Sequence, residues 1–320
     1  MSKVTGKGFP LSPVTCLLFP AFCLLFSASQ FFTAIPSLSA SDPEPSMVQG
    51  DGWAATYGGA NTDRAYSIQE TRDSGYIVAG WTDSFATVED KIKGKDRDVW
   101  ILKLKPDGAV EWQKTYGGAN GDEAYCVQQT GDGGYIVAGL TLSFGAGSLW
   151  VLKLGADGSV EWQKAYWGEN VKVVESIQET RDGGYIMAGK TVPFAPGSSD
   201  LWVSKLRADG TVEWEKTYGG EKWDEAHSIH ETRDGGYIVA GETWSFGAGE
   251  GDIWVLKLRP DGSIVPSCDF VRDASISGKD STATGSTTSA TRITRDINVI
   301  PIDTSATVRD TNVPARILCP

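Results

Sequence analysis

Glu231–Gly241 reads ETRDGGYIVAG. An acid, two glycines and a short apolar run fit two structures: a ligand-cradling loop, or a tight turn feeding a buried strand. The chain decides between them by repetition. ETRDSGYIVAG stands at Glu70–Gly80, QTGDGGYIVAG at Gln129–Gly139 and ETRDGGYIMAG at Glu179–Gly189. A catalytic loop is rarely needed four times, whereas a turn is needed wherever a strand pair recurs. The stretch is therefore read as hairpin chemistry. It also lacks the GxGxxG and GxxxxGK[ST] spacings of phosphate loops.

Landmark residues give the period. Tyr76, Tyr135, Tyr185 and Tyr237 are 59, 50 and 52 residues apart; Trp100, Trp150, Trp202 and Trp254 are 50, 52 and 52 apart. Trp53, Trp112, Trp162 and Trp214 form a third set. Within one unit, DEAHSIHET (Asp224–Thr232) reads as strand A, YIVAG as a buried strand B and DIWVLKL (Asp252–Leu258) as strand C. RPDGS is a turn. The earlier copies continue into a fourth strand, for example AVEWQKTYGG from Ala109. No segment of the repeat region has a helical period. The predicted fold is all-β: a four-bladed β-propeller of four-stranded antiparallel blades. Gly75, Gly134, Gly184 and Gly236 are expected to supply positive φ in the A–B turn. Gly80, Gly139, Gly189 and Gly241 are expected to make room for a neighbouring sheet.

The fourth copy carries Pro266 where the others carry tryptophan, and the chain begins with a spare WAATYGG at Trp53–Gly59. Trp53–Tyr57 is therefore expected beside Asp252–Leu258, closing the ring; the alternative is an open arc completed by another chain.

DIWVLKLRPDG, with DGxVEW in three copies, resembles the repeats of secreted prokaryotic β-propellers and is similar to the tryptophan-docking motif of PQQ-type propellers. The resemblance covers about residues 53–265 and implies architecture. PQQ dehydrogenases carry eight such blades and a defined cofactor and metal site, which these four copies do not match, so no activity is carried over.

The ends of the chain differ from its middle. Lys3 and Lys7, the apolar CLLFPAFCLLF and the small-residue SLSA have the order of a signal peptide, residues 1–40. Residues 41–52 are a linker, 53–267 the repeat domain and 268–320 a tail in which 11 of the 21 residues from Ala274 to Thr294 are Ser or Thr. Such a tail suits a stalk or a packing strap. The expected location is secreted, periplasmic or cell-surface, without a membrane span after signal cleavage. Export permits a Cys268–Cys319 disulfide; Cys126 fills a slot held by serine in the other copies and is expected to be a small buried side chain. The net charge of −12 argues against a nucleic-acid partner.

Chemistry-bearing residues are sparse. The two histidines, His227 and His230, are expected on opposite strand faces. Asp63, Asp122 and Asp224 hold equivalent positions before strand A, with Lys172 in the equivalent position of the remaining copy. They fit either a Ca²⁺ site or local turn caps. Trp81, Trp167, Trp223 and Trp244 depart from the repeat and are candidate ligand contacts. The first B–C loop carries the insertion VEDKIKGKDR at Val88–Arg97. No catalytic set stands out. The expected function is a non-catalytic scaffold binding a protein or glycan through loops on one face, with no cofactor; the alternative is an exported lyase, hydrolase or quinoprotein-like oxidoreductase.

Overall fold

In the computed structural model, residues 52–85, 97–145, 147–167, 170–193, 199–265, 271–273, 277–280, 286–287 and 293–294 are described. The segment expected to be a signal peptide, Pro266, Cys268, Cys319 and nearly all of the first B–C insertion lie outside them. No helix occurs among the described residues.

A short strand β1 (Ala55–Thr56) precedes the first sheet, β2 (Asp63–Glu70), β3 (Tyr76–Thr82), β4 (Asp98–Leu104) and β5 (Val110–Tyr116). The second sheet is β6 (Asp122–Gln129), β7 (Tyr135–Thr141), β8 (Ser148–Leu154) and β9 (Val160–Trp167). The third is β10 (Asn170–Glu179), β11 (Tyr185–Pro193), β12 (Leu201–Leu206) and β13 (Val212–Tyr218). The fourth has three strands, β14 (Asp224–Glu231), β15 (Tyr237–Thr243) and β16 (Asp252–Leu258). All pairings are antiparallel between neighbours in sequence, as the alternating, β-branched and aromatic segments demand.

The tail then returns along the outer edges. β17 (Val271–Asp273) pairs with β13, β18 (Ser277–Asp280) with β9, β19 (Ser286–Thr287) with β5, and β20 (Ile293–Thr294) with β1. Each piece covers an edge that would otherwise present unpaired backbone groups. The first three sheets thus have five strands each, and β1–β20 is a separate two-stranded ribbon. This corrects the expected closure: Ala55 and Thr56 pair with Thr294 and Ile293, not with β16. The reason is in the next residue. The Tyr57 hydroxyl donates to the Gly108 carbonyl at 2.6 Å, which seats this segment on the first sheet.

That contact is one of a series. Tyr116, Tyr166 and Tyr218 donate to the carbonyls of Gly158, Gly210 and Gly262, each at 2.6 Å. The Trp112 indole donates to the Ala156 carbonyl and lies edge-on to Tyr135, 5.9 Å between ring centroids. Every fourth strand is thus anchored to the third-to-fourth-strand turn of the next sheet. Between the sheets lie the cores. Ile77, Ala79, Val99 and Ile101 meet Val137, Trp150 and Leu152. Ile136, Ala138, Leu149 and Val151 meet Ile177, Met187 and Trp202. Ile186, Ala188, Leu201 and Val203 meet Ile229, Val239 and Trp254. Buried on both faces, β4 and β8 are apolar on both.

Two glycine assignments change. In the A–B turn the positive φ belongs to the first residue of the pair, Ser74 (63°), Gly133 (89°), Gly183 (78°) and Gly235 (80°). The second glycine is needed for closeness: a Cβ on Gly236 would strike the Leu258 carbonyl and the Lys257 ammonium. Gly236→Val is therefore still expected to cost more than about 1 kcal/mol in a urea melt, by overpacking rather than by torsional strain. Gly80, Gly139, Gly189 and Gly241 face strand A of their own sheet, not a neighbouring one. Each lies opposite a β-bulge, and a Cβ would strike the carbonyl of Arg64, Glu123, Val173 or Glu225.

The A–B turns also hold buried lysines. Lys103, Lys153 and Lys205 pair with Asp73, Asp132 and Asp182 at 2.8–2.9 Å, and each donates to the following leucine carbonyl. Burial pushes the Asp132 and Asp182 carboxyls up. The lysine, a threonine hydroxyl and a glycine amide outweigh it and bring both to about 2. A carboxylate depressed on folding contributes stability above its unfolded pKa, near 4, and loses it as pH falls through the folded value. The melting temperature is therefore expected to fall steadily from about pH 4 towards pH 2. Lys153→Met should flatten that slope; an unchanged slope would show that these pairs do not set it.

Candidate functional site

The two ends of the sheets differ. One end carries the A–B and C–D turns, which are nearly identical in all copies. Thr71, Thr130, Thr180 and Thr232 each donate to the aspartate two residues on, at 2.5 Å. The other end carries the D–A connections and B–C loops, and the departures from the repeat fall there.

Asp63, Asp122 and Asp224 stand at that end, at the start of their A strands, and each is occupied by a local clasp. Asp122 accepts from the Thr141 hydroxyl, from the Ser143 hydroxyl at 2.7 Å and from the Gly118 amide at 2.9 Å. Asp224 accepts from Thr243, Ser245 and Gly220, and Asp63 from Thr82, Ser84 and Gly59. Burial raises the Asp122 pKa against these donors. The three carboxylates tie a D–A connection to a B–C loop in three separate sheets. Among the described residues no three His, Cys, Asp or Glu side chains converge as a metal-binding group. In the third copy Lys172 replaces the aspartate and Pro193 replaces the serine, so both halves of the clasp change together. Lys172 lies 3.9 Å from Glu215, and that buried carboxylate also accepts from the Trp202 indole. A buried ion pair has taken the place of the clasp.

The four unusual tryptophans separate. Trp81 is buried, its indole donating to the Tyr66 hydroxyl at 3.3 Å with the guanidinium carbons of Arg64 and Arg97 5.6 and 5.1 Å from its ring centre. Trp167, Trp223 and Trp244 are exposed. Trp223 and Trp244 are joined directly, the Trp244 amide donating to the Trp223 carbonyl at 2.8 Å. Trp167 ends β9 at the same end of its own sheet. Cys126 is buried, its sulfur 3.7 Å from the Ala138 carbonyl.

A further row contains only one residue singled out from the sequence, His227. The bulge in each A strand leaves Tyr66, Tyr125, Glu175 and His227 as the residues outside the regular register. Successive A strands are neighbours, so these four lie along adjoining strands. Tyr66 and Tyr125 meet edge to face with centroids 5.4 Å apart. Around them stand Arg64, Arg97 and Glu123, the last two joined as an ion pair. At the other side Glu225 binds Lys190 and lies 3.4 Å from His227 Nε2. Burial raises the Glu175 pKa; Lys190 and His227 oppose that shift, while Glu225 adds to it. His230 instead contacts Gln178 at 2.7 Å and Ser228 at 3.3 Å, so the two histidines share no site. A signal was present in the repeat itself: three of the four copies share alanine before this position and three share serine after it, while the position holds Tyr, Tyr, Glu and His.

No protein-family model matches the chain, and no curated protein matches it.

Proposed function

We propose that the chain is an exported, non-catalytic propeller-type scaffold that binds a protein or glycan at the end of the sheets formed by the D–A connections and B–C loops. The observation that carries this reading is the concentration of departures from the repeat at that end: exposed Trp167, Trp223 and Trp244, and the bulge row from Tyr66 to His227. Positions released from the repeat's packing are free to serve recognition, and rigid sheets hold such loops in place. The exposed Trp223 and Trp244 side chains, on segments joined by a backbone hydrogen bond, offer flat apolar area, the chemistry that stacks on sugar faces and anchors protein partners.

The test is a panel of oligosaccharides and cell-surface proteins screened by biolayer interferometry against the full chain and Trp223→Ala/Trp244→Ala. Loss of the aromatic pair is expected to weaken the selected ligand at least about tenfold, with the melting temperature unchanged. Undiminished binding by the variant would remove this end from the account. An exported enzyme is the second reading, favoured only by Glu175 and its charged neighbours. Turnover of any screened substrate that is abolished by Glu175→Gln would establish it.

A further inference from the structure

The strand counts are uneven: three sheets of five strands, one of three, and a ribbon of two. In the complete sheets the two outermost strands are a fourth repeat strand and a piece of the tail. The β1–β20 ribbon has that composition, since its first strand precedes a tyrosine anchored like Tyr116, Tyr166 and Tyr218 and its second comes from the tail. The ribbon is therefore the outer pair of a sheet whose inner three strands are missing beside it. The fourth sheet is an inner three-stranded set whose outer pair is missing. Within one chain the described structure leaves these two parts unpaired.

The faces tell the same story. Ile77, Ala79, Val99 and Ile101 of the first sheet are fully covered by the second. Their counterparts in the fourth sheet are Ile238, Ala240, Ile253 and Val255, and here Ile253 is 88% and Val255 57% exposed. Lys257, the counterpart of buried Lys103, is exposed too. At the opposite end of the row, Ile68 is 59% exposed, whereas Val127, Ile177 and Ile229 at the same position are buried by the preceding sheet. Beside β1 a groove of about 260 Å³ opens on that face, lined by Val78, Trp100 and Leu102. These are the counterparts of Val137, Trp150 and Leu152, which receive Ile77 and Val99 at the first junction. The polar rim continues the pattern. The backbone amides of Arg72, Gly131 and Arg181 donate to Gln129, Glu179 and Glu231 of the following sheet. The next pair in that series is Arg233 with Glu70.

We propose that the fourth sheet docks on the first sheet of a second copy of this chain. The β1–β20 ribbon of each copy then completes the fourth sheet of the other. The contact is head to tail and reciprocal, as two-fold symmetry requires. Two copies would set eight sheets around one axis, within the four-to-eight range of propellers; three would give twelve, outside it. The exposed apolar faces are covered at both ends, and no open sheet is left.

Sedimentation equilibrium of the full chain tests this. The expected mass is that of two chains. Ile253→Lys and Ile68→Lys alter residues exposed in the single chain, so each variant should keep the parent's circular dichroism. Each should weaken self-association at least about tenfold. An equimolar mixture of the two variants should associate more strongly than either alone, because it retains one unaltered pair of faces. A single-chain mass up to about 100 µM would overturn the proposal in favour of closure within one chain. A dimer indifferent to both substitutions would overturn it in favour of another surface.

Discussion

Gly139→Ala is expected to destabilise the protein by about 3 kcal/mol or more, although it adds a single methyl group to a strand that tolerates alanine next door. The added Cβ would lie against the Glu123 carbonyl and the Ala124 Cα, both backbone atoms. A flexible side chain could move aside; a hydrogen-bonded A strand cannot, because its bulge between Ala124 and Cys126 fixes its approach to β7. The same geometry recurs at Gly80, Gly189 and Gly241, so equivalent substitutions should be costly there. Gly249→Ala is the control. Nothing lies within 4 Å of its Cβ position, and the change should stay within about 0.5 kcal/mol. Urea melts of the two variants check both expectations, and similar midpoints for Gly139→Ala and the parent would contradict the packing argument.

Lys172→Asp should be the other severe change, at about 3–5 kcal/mol. It restores the residue found in the other three copies and yet removes the cation beside buried Glu215. Two carboxylates would then be enclosed together. The other copies carry Gln113 and Gln163 at the Glu215 position and a serine at the Pro193 position. Lys172→Asp/Pro193→Ser/Glu215→Gln should therefore recover most of the lost stability by rebuilding the clasp seen at Asp122. Such recovery is a coupling between contacting sites, and simple addition of the single effects would deny it.

What could be read from the sequence was what is local. The Asp-Gly-Gly turn, strands A to C of each copy and the DGxVEW segment that carries Trp112 are each read from short stretches, although the Trp112 indole itself docks on the Ala156 carbonyl of the next sheet. The glycine errors were local too, and they share a cause. A repeated glycine shows that a Cβ is excluded, but not whether torsion or contact excludes it. Gly235 answers to torsion, and Gly236 and Gly241 to a carbonyl from another strand of the same sheet. The path of the tail was not legible, because Ser/Thr-rich strands carry no apolar alternation to name their partner. Their register comes from the edges left open by β5, β9 and β13. The aspartates drew attention as a recurring acid, but the Thr-x-Ser that occupies them lies 19 to 21 residues further on and recurs with them. The bulge row carries no recurring residue to mark it, since the slot holds Tyr66, Tyr125, Glu175 and His227.

Residue-resolved amide hydrogen exchange of the full chain is the most direct test of the claim that four copies build one kind of sheet, held by its constant end and varied at the other. Amides of β3, β7, β11 and β15 should exchange only through global unfolding, at matching rates in all four copies. Amides of the D–A connections around Trp223 and the B–C loops around Trp244 should exchange orders of magnitude faster. Protection confined to one or two copies, or equally slow exchange at both ends of the sheets, would contradict it.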